Sequence, residues 1–313
     1  MRLHISCIQF AIFCTFRTYI RYMKTIPILN ITEFETDISH SQFYCNNIKE
    51  HLERNKNHFH KPHKHNFYLC VLFSQGSGIH EIDFNSYEIA PGSVFFLRPG
   101  QTHYWKFNMA PEGYIFFHTQ DFYELYVSKS KLEQFPFYHT YENEPMLQLT
   151  TKEIGLSESR FKELYHEYKT HKPYKVQKLA SLINTAYIDL ARQYLAKENI
   201  KKISSTTYSD TMRLLEKCIE DHFRTEKSVQ YYADHLNITP KHLNRIVRAT
   251  LGRTTTDVIM DRVILESKRL IVHSGNSLSD ISESLGYRDY AYFSRLFKLK
   301  TNMTPLEFKK SYK

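Results

Sequence analysis

The stretch SLSDISESLGYRDYAYFSRLFKLKTNMTPLEFKK, residues 277–310, decides how the whole chain is read. Leu278, Ile281 and Leu285 stand at i, i+3 and i+7, the apolar stripe of a short helix. Ser277 and Asp280 have capping-box spacing at its start. Gly286 follows at once and can turn the chain sharply through positive φ. Asp289 is a good N-cap for a second helix, whose apolar side is Phe293, Leu296 and Phe297. Its other side carries Tyr290, Ala291, Ser294, Arg295 and Lys298, with no acidic residue between Tyr290 and Pro305. Short helix, tight turn and cationic second helix make a helix-turn-helix DNA reader.

A second copy lies upstream. VQYYADHLNITPKHLNRIVRATLGRTTTDVI begins at Val229. Leu236 takes the part of Leu285, and Asn237 that of Gly286; Asn also tolerates the left-handed conformation. Thr239 caps the next helix and Pro240 opens it. Leu243, Ile246 and Val247 match Phe293, Leu296 and Phe297. Arg245 matches Arg295, Arg248 matches Lys298, and Gly252 matches Asn302. Ordinary helical packing would explain one such pair, but not two with matching caps, cores and cations.

GYRDYAYFSRLFK followed by MTPLEFKK resembles the signature of AraC/XylS-type bacterial transcription regulators. The resemblance covers the C-terminal third of the chain. It departs at Tyr287, where Phe is usual, and at Asn302, where Gly is usual; both substitutes suit the local geometry. It implies a regulator that binds double-stranded DNA in the major groove. By position in the motif, Lys241, Asn244 and Arg245 would face bases from the first reader, and Tyr290, Ala291, Ser294 and Arg295 from the second. Arg248 and Lys298, a turn further on, would hold phosphates. A solvated helix face is the plainer reading of any single cation among them.

At 313 residues the chain has room for two domains with separate cores. Its net charge of +9 points to a polyanionic partner, nucleic acid or a membrane surface. Residues 206–313 hold 18 Lys and Arg against 13 Asp and Glu, so a net +5 falls with the readers. The five cysteines, Cys7, Cys14, Cys45, Cys70 and Cys218, form no C-x-x-C pair, which suits a reduced cytoplasmic protein. Residues 1–22 are apolar but interrupted, too short to span a bilayer, and lack a small-residue cleavage site. They are expected to be an unstructured leader or an over-long start, with Met23 opening the protein.

Residues 67–118 are short apolar or alternating runs between Gly- and Pro-containing turns, the texture of a sandwich or small barrel. PHKHNFYL and PGSVFFLRPGQTHYW resemble the two motifs of a cupin barrel, which fits the sensory domain often found in this family. The expected fold is therefore multidomain α and β. A cupin-like β-barrel spans residues 23–150, a helical linker 151–205, and an all-α domain with two helix-turn-helix motifs 206–313.

His63, His65 and His103 stand where three cupin metal ligands would be, but Leu69 and Cys70 occupy the place of the expected Glu, and Glu81 lies well past it. The expectation is no metal and no cofactor, with His63, His65, His103 and Trp105 at a barrel mouth that admits a small-molecule effector. The alternative is a metal-dependent cupin enzyme with a helical appendage. No G-x-S-x-G, P-loop, G-x-G-x-x-G or H-E-x-x-H occurs, so no catalytic residue is assigned. Ser157 is a candidate helix cap. After Pro173, Val176, Leu179, Leu182, Ile183, Ala186 and Leu190 form a stripe that packs either on its own domain or in a dimer. RNA polymerase and a second copy of the chain stand as further partners. Effector, operator and direction of regulation are not legible.

Overall fold

The computed structural model describes residues 26–34, 42–55, 61–127, 132–138, 143–197 and 206–312. The leader 1–22, the start at Met23 and the segment 198–205 lie outside them. The chain divides into two compact units, one of residues 27–206 and one that contains 207–313. No helix among the described residues is long and apolar enough to cross a membrane.

The first unit is built on β1 (Ile28–Leu29), β2 (Phe43–Asn47), β3 (Lys64–His65), β4 (Tyr68–Ile82), β5 (Asn85–Ile89), β6 (Ser93–Leu97), β7 (His103–His118) and β8 (Met146–Gln148). β1 and β3 pair in parallel, and the other six form one antiparallel sheet in the order β2-β7-β4-β6-β8, with β5 on β4. The long β4–β7 ribbon breaks register between Phe73 and Gly78. Before the break β4 pairs with β6, and after it with β5, so bulges bend one ribbon through two halves of the domain. Gly113 is required in this ribbon, because a Cβ there would meet the Leu72 carbonyl oxygen.

A closed barrel was the expectation, and the sheet corrects it. β2 pairs only with β7, and β8 only with β6, so among the described residues the two edges do not join. Helices cover the apolar face instead. α1 (Ile48–Arg54) and α2 (Gln120–Tyr126) flank β2 and β7 in sequence, and α3 (Thr151–Lys169) lies against β2, β4 and β7. α3 starts at the Thr150 cap, whose side chain exchanges hydrogen bonds with Glu153; Ser157 is a buried interior residue, not a cap.

α4 (Lys175–Lys197) turns Leu179, Ile183, Ala186, Tyr187, Leu190 and Tyr194 into the same core as the sheet. The stripe read from the sequence thus packs on its own domain. Tyr138 donates to the Tyr187 hydroxyl at 2.8 Å, and that hydroxyl lies 2.7 Å from His118 Nε2. His118 Nδ1 is 2.9 Å from the Thr119 carbonyl, which makes Nδ1 the donor and Nε2 the acceptor. This buried relay ties α4 to the end of β7.

The second unit holds α5 (Thr206–His222), α6 (Val229–His235), α7 (Pro240–Leu251), α8 (Thr255–His273), α9 (Leu278–Ser284), α10 (Tyr290–Thr301) and α11 (Pro305–Ser311). Met212, Leu215, Ile219 and Phe223 bury the inner side of the α5 segment. α8 is buried on both sides, as a helix shared by two readers must be, with Val258, Ile259, Val263, Leu270 and Ile271 inward. Arg262 lies 3.9 Å over the Phe223 ring and bonds Glu220 at 2.7 Å; Glu266 is held by Arg224 and Arg269 at 2.8 and 3.0 Å. Those carboxylates give the buried guanidinium groups their counter-charge.

Candidate nucleic-acid interface and sensory cluster

The two turns adopt one conformation. Asn237 and Gly286 have φ of 54° and 82°. Ile238 and Tyr287 donate back to the carbonyls of Ala233 and Ser282 at 3.0 and 2.9 Å. Gly286 admits no side chain, since a Cβ would sit 2.4 Å from the Arg224 carbonyl oxygen. Lys227 Nζ closes the same corner by bonding the carbonyls of Arg224 and Leu285 at 2.5 and 2.6 Å. The second turn is one residue longer, the extra position being the exposed Arg288. Both recognition helices end on a left-handed residue, Gly252 at φ 68° and Asn302 at φ 61°.

α7 begins at Thr239, whose side chain accepts from the His242 N–H, with Pro240 next. α10 begins at Asp289, which accepts from the Ala291 N–H at 2.8 Å. Leu243, Ile246 and Val247 bury α7; Phe293 and Phe297 bury α10, while Leu296 is half-buried. Lys241, Arg245 and Arg248 are exposed on α7, as are Ala291, Arg295 and Lys298 on α10; Tyr290 and Ser294 are half-buried. Thr239, Lys241, His242, Arg245, Arg248 and Thr256 line one groove with Asn244 and Thr254, and none of these is a carboxylate. An uncompensated cationic surface of this kind suits a polyanion.

Two side-chain contacts here lay outside the sequence reading. Asn244 was expected to face bases, yet its Oδ1 accepts the Thr255 N–H at 3.1 Å and is turned toward the start of α8. The cause is an orphan N–H in the first turn of that helix. His242 was not assigned a role, yet its Nδ1 accepts a 2.7 Å hydrogen bond from Arg245 Nη2. The i, i+3 spacing of His242 and Arg245 was the available signal.

In the first unit, His63, His65, His103 and Trp105 do come together, but as buried groups and not at an open mouth. Hydrophobic packing brings them inside: Trp105 lies between His80, Phe73 and Phe107. His63 and His103 rings are 4.4 Å apart, and His65 and His80 each lie 5.2 Å from His103. His80 was missed by sequence reading; strand register sets it opposite Trp105. Its Nε2 lies 3.0 Å from His103 Nδ1. His65 Nδ1 is held by the Phe67 carbonyl at 2.7 Å. Burial, reinforced by neighbouring imidazoles, pushes the His65 pKa down to about 3 and those of His80 and His103 well below 6.5. Among the described residues, three buried ring nitrogens of this cluster, His65 Nε2, His80 Nδ1 and His103 Nε2, have no hydrogen-bond partner. Glu81 accepts instead from Ser86 at 3.0 Å. Among the described residues no group of three or more His, Cys, Asp or Glu is arranged to hold a metal ion.

Comparison with known proteins agrees with both halves. Residues 232–311 match a helix-turn-helix domain model, and residues 50–108 match the model of an AraC-like ligand binding domain. The chain is 24% identical over 255 residues to the HTH-type transcriptional activator RhaS of Escherichia coli O81 (strain ED1a), covering 79% of this chain and 86% of that protein. Among solved structures, ToxT of Vibrio cholerae is similar over 86% of this chain and 98% of its own, at 15% identity and a TM-score of 0.42. The C-terminal domain of the response regulator yesN from Fusobacterium nucleatum is similar over 32% of this chain and 98% of its own, at 19% identity and a TM-score of 0.31. With a paired set of readers in one unit and a bent sheet carrying the AraC-like ligand-binding match in the other, the chain is a DNA-binding transcription regulator similar to those of the AraC type, not an enzyme.

Proposed function

We propose that α7 and α10 enter successive stretches of the major groove, with Lys241 and Arg245 on bases from one helix and Tyr290, Ala291, Ser294 and Arg295 from the other. Arg248 and Lys298, a turn further on, hold phosphates. The observation that carries this reading is the exposure of matching cations, Arg245 with Arg295 and Arg248 with Lys298, on two helices that start and stop alike. Residues 206–313 act as the reader, and the sheet with its two long helices as the sensor. A small molecule able to hydrogen-bond is the effector, and the unpartnered nitrogens of His65, His80 and His103 support this, since a buried polar atom without a partner is costly. By the name of its relatives the chain works as an activator; we further propose that it acts in the cytoplasm, meets RNA polymerase there and binds paired sites as a homodimer. Genome-wide mapping of bound DNA tests the reading: peaks sharing a two-part sequence motif upstream of genes support it, and uniform coverage overturns it.

A further inference from the structure

The two readers are not equivalent at the position after their first apolar contact. In the first, Asn244 spends its side-chain oxygen on the Thr255 N–H, 3.1 Å away, at the start of α8. The counterpart of Thr255 in the second reader is Pro305, and the counterpart of Asn244 is Ser294. The surroundings otherwise correspond: Thr254 and Thr304 are both N-caps, and each pairs reciprocally with an acid three residues on, Asp257 or Glu307. Both Thr255 and Pro305 are buried at the first position of their helix. Proline is well suited there, but it has no N–H to donate. Ser294 therefore has no helix start to hold.

We propose that Asn244 is a positioning residue, which fixes recognition helix α7 against α8, while Ser294 is a specificity-determining residue that touches the DNA. The inference rests on the reading of α7 and α10 as DNA-reading helices. It assigns the discrimination of the first half-site to Lys241 and Arg245, with His242 holding Arg245 by the 2.7 Å hydrogen bond. Held toward the start of α8, Asn244 is not free to turn its amide onto adenine N6 and N7, so the bidentate pairing is lost.

The test is enrichment of bound sequences from a random duplex pool by the full-length protein, together with thermal melting of each variant. Asn244→Ala should leave every base preference unchanged, lower the melting temperature, and weaken binding to all sequences about fivefold, as expected for one lost cap-type hydrogen bond. Asn244→Asp keeps the acceptor and should restore the melting temperature. Ser294→Ala should relax preference at one position of the other half-site and leave the melting temperature unchanged. Thr255→Pro gives the first reader the arrangement of the second. It releases Asn244 and should add a preference for adenine at one position, which decides the matter if Asn244→Ala does not fold. Loss of a base preference in Asn244→Ala with unchanged melting, or no new preference in Thr255→Pro, overturns the inference alone. A wild-type chain that enriches no sequence overturns the DNA reading and the inference with it.

Discussion

Lys300, at the end of α10, places its Nζ 2.7 Å from Asp257 Oδ1 in the first turn of α8, and 3.3 Å from Asp261. Arg253 reaches Asp261 from the loop after α7. One acidic patch on the shared helix thus receives a cation from each reader. Hydrogen bonding to Lys300, and then to Thr254, lowers the Asp257 pKa to about 2. A depressed carboxylate contributes stability above its unfolded pKa and loses it as the pH falls through the folded one. Lys300→Met should therefore cost about 1 kcal/mol at pH 7, the pair being partly exposed and screened. Melting curves of wild type and variant should converge between pH 4 and 2; a constant gap would assign the loss to packing.

The relay from Tyr138 through Tyr187 to His118 is wholly buried. Tyr187→Phe removes the middle hydroxyl and strands both neighbours without changing the shape of the core. It should destabilise the first unit by about 1–3 kcal/mol. Urea unfolding followed by the near-ultraviolet signal measures it, and an unchanged midpoint would mean that the relay contributes nothing.

The buried imidazoles predict acid sensitivity. His51 and His65 are held down to about 3 and His118 to about 4, each chiefly by burial. The folded state keeps them neutral, whereas the unfolded chain takes up protons below about 6.5. The stability they allow is present above that pH and is lost as it falls toward 3, at up to about 1.4 kcal/mol per pH unit for each ring. Melting temperatures from pH 7 to 4 should fall steeply, and His65→Phe should flatten the slope. A slope unaffected by that change would contradict the assignment.

The local part of this fold was open to reading. Asn237 and Gly286, Gly252 and Asn302, Thr239 and Asp289 each act through their own backbone, so residue type discloses their conformation before any tertiary contact forms. What depended on distant partners was not. His80 joins the histidine cluster only through the register of β4 on β7. The helix at Thr151–Lys169 was placed too late because Ser157 resembles a cap, while the reciprocal Thr150–Glu153 pair lies where the sheet ends. The open sheet edges depend on which strands pair, with β2 on β7 and the three-residue β8 on β6, which no alternation of polarity reveals. The hydrogen bond from Thr255 N–H to Asn244 is a contact across a turn, which residue type alone does not disclose.

Arg248 is exposed on α7, a turn beyond Arg245. A phosphate contact has no base preference, so Arg248→Ala should weaken binding to every sequence alike. It should also reduce the slope of log affinity against log salt by about 1. Titrations of a selected and a scrambled duplex between 50 and 200 mM salt check this, and a loss confined to the selected duplex would make Arg248 a base reader.

Footprinting of the full chain on its selected site tests the two-reader account most directly. Two unlike half-sites should be protected, their centres about 10 base pairs apart on one side of the duplex. Arg245→Ala should relax preference in one half and Arg295→Ala in the other, each costing about 1–3 kcal/mol. A symmetric footprint, or both variants losing the same half, would mean that only one of the two helices enters the groove.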